Sequence, residues 1–400
     1  MKSSLPIFAC IACLLINSAY AEHEGPWERH AIDNSSRGAD GVRLADANGD
    51  GLVDIVTGWE EGGIVRLYLN PGPEKSKEKW PAVTVGSANN VEDAVMVDLD
   101  NDGAMDVVSS CEGKTKTMFV HWGPKDKAKL LDEDAWVTEP IPATVGLQQW
   151  MYCLPVDVDQ RNGTDLVVGS KNRDAAVGWL ELPPNPRDLK AWKYHKIRDA
   201  GWIMSLESRG VAGRFSILVT DRKGPTRGIY TIAYFDNRWR DFEFEMGESE
   251  YMFACNVPGM EHQVVTATRN GVVKVLHYDP IERVKSKIYK TELANPAGVS
   301  NGKAVAVNTI DDDDHMDLVV SFNTQGQKDK PGVAWIKVLP DQDPKDWPAY
   351  DISGLEGKKF DRLELIDLDG DGDLDVLTCE EADNLGVIWY ENPYGKADDK

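Results

Sequence analysis

The chain has 400 residues, of which 28% are charged and 42% hydrophobic, and 67 acidic against 44 basic side chains leave a formal net charge of −23. An acid excess of this size, with no basic stripe and no aromatic-basic module, argues against a nucleic-acid partner. Beyond residue 21 the four cysteines, Cys111, Cys153, Cys255 and Cys379, are spread too widely for a zinc knuckle or a C-x-x-C redox site.

Met1-Lys2, an apolar run from Leu5 to Ile16 and Ala19-Tyr20-Ala21 read as a cleaved secretory signal peptide over residues 1–21. The run is about twelve residues, too short to span a bilayer comfortably. No later segment is long and apolar enough for a membrane helix, so the expectation is an exported chain, periplasmic or secreted, starting at Glu22 and free of the membrane after cleavage. That compartment permits disulfides. Cys111 with Cys153 is the pair to test, although buried free thiols are the favoured reading.

From Glu22 to about Pro393 one unit recurs seven times. It begins with a tryptophan-led strand, Trp27 to Ile32, followed by a polar turn. A strand from Val42 to Ala45 enters an acidic loop, a strand from Asp54 to Thr57 leaves it, and a third runs from Val65 to Pro71. The opening strand returns near Trp80, Trp136, Trp192, Trp239, Ile288 and Trp347, and the third strand as Met118 to Pro124, Val177 to Pro183, Ile229 to Tyr234, Val273 to Pro280, Val333 to Pro340 and Val387 to Pro393.

Seven four-stranded units without sustained helical periodicity predict an all-β fold, a seven-bladed β-propeller filling residues 22–395, with a disordered tail at 396–400. The phase of the repeat predicts ring closure: Trp27 to Ile32 should be the outer strand of the blade built from Leu363 to Tyr390. The leading tryptophans then belong to the core between blades.

The acidic loops carry the chemistry. In Asp367-Leu368-Asp369-Gly370-Asp371-Gly372-Asp373-Leu374-Asp375, acids stand at positions 1, 3, 5 and 9, and a glycine at position 6 supplies a tight turn. Oxygen ligands at this spacing suit Ca²⁺ better than Mg²⁺. Position 12 is Thr378 and the following run is β-branched, which excludes an EF-hand.

Full copies lie at Asp46, Asn48, Asp50, Asp54 and at Asp98, Asp100, Asp102, Asp106, giving three expected sites with Asp367, Asp369, Asp371 and Asp375. A fourth candidate is Asp311, Asp313 and Asp317, with Thr309 at position 1. In the loop at Asp157, Asp159, Asn162 and Asp165, Arg161 stands where a ligand should be and its guanidinium could replace the metal. Together the five loops hold 20 of the 67 acids, so most of the net charge is ligand charge that bound cations would cancel.

The acidic loop followed by a valine-rich strand resembles the FG-GAP/VCBS repeat family of secreted bacterial propellers, related in fold to the integrin α-subunit head. The resemblance implies Ca²⁺ between the first two strands of a blade, on the bottom face, and function on the opposite face.

Strand direction brings the starts of the inner strands and the ends of the second strands together on that opposite face. The candidate ligand residues there are Trp59, Glu60, Asp93, Glu112, Tyr152, Arg173, Trp202, Arg222, Tyr251, Arg269, Asp361 and Glu380. Aromatic faces beside carboxylates and arginines suit a sugar, whose C–H faces stack while its hydroxyls pair.

Enzyme signatures are poor. Gly298-Val299-Ser300-Asn301-Gly302 matches a nucleophile-elbow string but precedes a strand, and the histidines do not cluster. The expectation is a monomeric, calcium-stabilised module that binds a glycan. The alternatives are a polysaccharide lyase or sugar dehydratase using a carboxylate or Tyr152 as base on the same rim, and a protein–protein interaction module.

Overall fold

The computed structural model describes residues 25–394 except 212–213, 248, 279–287, 293–297, 312 and 314. The signal-peptide segment and the 396–400 tail lie outside the described residues. Seven four-stranded antiparallel sheets form a ring. Six blades run through residues 39–87, 91–140, 149–199, 203–246, 251–292 and 302–351. The seventh takes three strands from 360–391 and completes itself with Glu28–Asp33, which pairs Glu28 with Glu391 and His30 with Trp389. The N-terminal strand therefore closes the ring, as the repeat phase requires.

The first strand of each blade contacts its counterparts in both neighbouring blades, so seven inner strands line the axis: Ala39–Ala45, Val91–Val97, Gln149–Val156, Ile203–Val211, Tyr251–Val257, Gly302–Asn308 and Phe360–Ile366. Second strands such as Asp54–Trp59 and Asp375–Glu380 are buried at every residue, because both faces pack on adjacent blades. Their continuous β-branched runs follow from that two-sided burial. Burial falls toward the rim, where Val137–Pro140 is exposed throughout.

The leading tryptophans fasten the crossing from third to fourth strand. Trp80, Trp136 and Trp192 are buried, and their indole N–H groups donate to the carbonyls of Ser76, Leu130 and Pro186 at 2.9–3.0 Å. Trp347 does the same to Leu339 at 2.9 Å. Cys111 and Cys153 pack into separate hydrophobic clusters, and all four cysteines of the described chain are free thiols.

The ninth loop position serves the fold directly. Asp54 accepts the backbone N–H of Ala47 inside its loop and that of Asn70 after the third strand, both at 2.8 Å. Asp106 joins Leu99 to Gly123, Asp165 joins Val158 to Leu182, and Asp375 joins Leu368 to Asn392 in the same way. The bridge is complete even in the loop that carries Arg161. We therefore expect Asp165→Ala to cost about 3 kcal/mol or more through two lost charge-assisted bonds. Denaturant titrations should show this loss equally with calcium and with excess chelator; recovery of wild-type stability in chelator would contradict the assignment.

Candidate functional site: the axial funnel

Each inner strand carries an irregularity near its start, and Tyr251–Val257 has a second between Asn256 and Val257. The register with the second strand slips between Asp40 and Arg43, Val91 and Asp93, Trp150 and Tyr152, Ile203 and Ser205, Tyr251 and Phe253, Gly302 and Val305, and Phe360 and Leu363. A bulge leaves a residue unpaired and re-aims its side chain. Here the bulged segments supply Glu92, Met151, Met204, Met252, Lys303 and Asp361 to a funnel of about 310 Å³ at the upper end of the axis.

The floor is divided. Met151, Met204 and Met252, from three consecutive blades and 4–7% exposed, make it apolar on one side. On the other stand Asp40, Glu60 and Glu92, whose carboxylate oxygens lie within 4.8 Å of one another. Burial first, then Asp361 and Glu92, raise the Asp40 carboxyl well above its ordinary range. Burial and then Glu92 and Glu381 also raise Glu60. Lysines offset part of this charge: Lys171 reaches Glu92 at 2.9 Å and also Glu112, Lys303 pairs with Asp361, and Lys359 with Glu381.

Below the floor, charged struts cross the channel. Arg43 forks onto Asp93 at 2.8 and 3.0 Å, and Asp93 also accepts the N–H of Cys153. Arg362 reaches from the seventh blade to Glu207 of the fourth at 3.0 Å and to Glu364 at 2.6 Å. Burial alone would lower the Arg362 guanidinium, but Glu207 and Glu364 hold it well above its ordinary value.

Seven of the residues expected from sequence line this one funnel: Glu60, Glu112, Tyr152, Trp202, Arg222, Arg269 and Asp361. The other five do not reach it. Asp93, 2% exposed, is a strut beneath it. Trp59 and Tyr251 are fully buried between blades, and the Trp59 indole donates to the Tyr68 hydroxyl at 2.9 Å. Arg173 projects from a turn with its side chain 94% exposed, beside Asp174.

Glu380 is fully buried as a turn cap. Its carboxylate accepts the backbone N–H groups of Lys358, Lys359, Ala382, Asp383 and Leu385. Trp150 is buried as well, its indole donating to the Thr144 carbonyl.

The aromatic residues of the funnel act differently from simple stacking platforms. Lys171, Arg222 and Lys223 stand 4.6, 4.9 and 4.2 Å from the Trp202 ring centroid, so cations already hold that indole. Burial, then Asp40 and Asp93, push the Tyr152 phenol well above its ordinary value, which keeps it a proton donor and disfavours it as a base.

Sequence reading missed the methionines, although each follows an aromatic in the chain: Trp150-Met151, Trp202-Ile203-Met204 and Tyr251-Met252. It also passed over Lys303 and Lys359, which lie on the funnel wall.

The acidic loops sit at the opposite ends of the same inner strands. Asp46 accepts the N–H groups of Gly49, Asp50 and Gly51, and Asp367 those of Gly370 and Gly372, so the loops are shaped with carboxylates turned inward. Asp98, Asp100 and Asp106 offer oxygens within 4.8 Å of one another. One buried carboxylate oxygen each of Asp100 and Asp369 and both of Asp373 meet no hydrogen-bond donor, while Arg187 lies 2.5 Å from the other oxygen of Asp100, Lys125 3.3 Å from Asp102 and Lys77 3.2 Å from Asp369. Burial and then Asp371 and Asp375 push Asp373 up to about 8, while burial, then Asp369 and Asp371, take Asp375 to about 7. Oxygen clusters only partly offset by a lysine or arginine at their edge fit a hard divalent cation.

At the Asp311 loop Asp311, Asp313 and Asp317 also offer oxygens within 4.8 Å of one another, with the Lys337 ammonium 2.5 Å from Asp311 and 3.5 Å from Asp313. In the third blade Arg161 sits 3.1 Å from Asp159, 63% exposed.

Residues 46–109 match the FG-GAP-like repeat family, a span that covers the first two acidic loops. Among curated proteins nothing matches the chain. Among solved structures, the crystal structure of Saccharomyces cerevisiae Sqt1 is similar with a TM-score of 0.53 at 11% identity, covering 93% of this chain and 100% of that one. At that identity the likeness speaks to fold alone. Blade count and ring closure identify the chain as a seven-bladed β-propeller, and its residues 46–109 match an FG-GAP-like repeat.

Proposed function

We propose that this propeller binds a carbohydrate in the axial funnel and is held together on its opposite face by Ca²⁺ in the acidic loops. The observation that carries the reading is the divided floor: three methionines offer an apolar patch to the C–H face of a sugar ring, and the carboxylates and ammoniums beside them suit its hydroxyls. The expected export of the chain agrees with a glycan ligand. Among the described residues no helix is long and apolar enough to cross a membrane.

A second reading, a sugar lyase or dehydratase, is favoured by Asp40. A carboxyl kept above its ordinary range beside Glu92 is placed to donate a proton within the funnel.

Calorimetric titration with neutral and acidic mono- and disaccharides tests the binding, and absorbance of an unsaturated product tests turnover. We expect Glu60→Gln to weaken sugar binding by about tenfold, the loss of one charge-assisted bond. Capture of a partner protein with no response to any sugar would overturn the carbohydrate reading. Asp40→Asn should raise the melting temperature at pH 7, because it relieves crowded carboxylates; an unchanged or lower value would remove the claim of repulsion.

For calcium, the three full loops are the proposed sites, with Asp311, Asp313 and Asp317 the weakest candidate. Excess chelator should lower stability by about 2.7 kcal/mol per site where free calcium had stood a hundredfold above its dissociation constant. Asp371→Ala should reduce the bound calcium per chain by one. A melting curve indifferent to chelator would reject structural calcium.

A further inference from the structure

Charge is unevenly divided around the funnel. Asp40, Glu60 and Glu92 crowd the side formed by the first two blades. On the side of the fourth and fifth blades, Arg222 and Arg269 both turn to one acid, Glu250, at 3.5 and 3.3 Å. Both contacts are long for a guanidinium–carboxylate pair.

Arg222 is only 9% exposed, and its Nε has no hydrogen-bond partner; neither has the buried Oε2 of Glu250. Lys223 adds a third cation against the Trp202 ring. A buried guanidinium with an unmet donor, aimed at a polar cavity and backed by a second arginine, is a seat prepared for an anion.

We propose that this corner receives the carboxylate of an acidic sugar, so that the funnel selects uronate-type ligands in one orientation. The proposal rests on the carbohydrate reading of the funnel and adds to it. A planar carboxylate can accept from both guanidinium groups at once, which Glu250 does not achieve from its position. The reverse orientation would set the ligand's negative charge against Asp40, Glu60 and Glu92. With the carboxylate on the arginines, those acids instead face the ring hydroxyls, which donate to them.

The probes are methyl β-D-glucuronide, its methyl ester and methyl β-D-glucoside, titrated calorimetrically into the mature chain in calcium buffer. We expect the free acid to bind about tenfold or more tightly than the ester, a margin that shrinks as salt is added. Arg222→Gln and the half-exposed Arg269→Gln should each draw the acid-to-ester ratio toward one. Glu250→Gln removes the competing carboxylate and should tighten binding of the acid several-fold, a gain that a misfolded variant cannot mimic.

Equal binding of acid, ester and glucoside would overturn the carboxylate seat and leave the carbohydrate reading standing. A weakening in Glu250→Gln would overturn the seat as well. Failure of all three probes, and of neutral and acidic oligosaccharides, would overturn the carbohydrate reading and this inference with it.

Discussion

The blades depend on one buried carboxylate that joins three strands. At the ninth position of the acidic loop, in all four blades where both bonds are seen, its oxygens tie the loop after the inner strand to the residue that ends the third strand. With the lower end of the inner strand fixed, its surplus residue relative to the second strand emerges at the upper end, as the bulge that builds the funnel. The face of the acidic loops and the funnel are thus two ends of one register. The fourth blade reaches the same register without the acids, through a tight hairpin that pairs Val211 with Arg214, whereas the fifth pairs Val257 with Met260 and slips once more between Asn256 and Val257.

Much of this was legible in the sequence, because the repeat states the strand order and the acidic loop marks one end of five of the blades. Closure by Trp27 to Ile32 followed from where the repeat begins and stops. The funnel was legible only in part. Trp150 and Tyr251 mark the correct level on the axis but turn between blades, and the bulge hands the funnel to Met151 and Met252. A bulge changes which neighbour faces inward and leaves no residue type as its signature. Glu380 looked like a ligand because charge at a strand end commonly means exposure; here the carboxylate serves five backbone donors of its own turns. Arg173 was misplaced because a turn's length, unlike a strand's, does not fix where its tip points.

The electrostatics of the funnel set it apart from a solvated surface. Lysines pair with several of the acids, yet Asp40 and Glu60 are pushed up by burial and by their neighbours. Packing of this kind costs stability, and such strain gathers where a protein needs a particular field. The struts Arg43–Asp93 and Arg362–Glu207 carry the opposite logic: each charge is paired and shared between blades, so they tie the first blade to the second and the seventh to the fourth.

The strand Glu28–Asp33 has a consequence for how the chain is made. Its partner, Gly386–Glu391, is made long after it, so the ring cannot close until that segment has emerged. The first strand must wait, unpaired, for more than three hundred residues to follow it. Pairing between these two strands is the most non-local contact of the ring and adds to the contact order of the fold. A nascent chain interrupted before that point would carry a naked edge on its final blade, which ties quality control of the whole molecule to a six-residue segment.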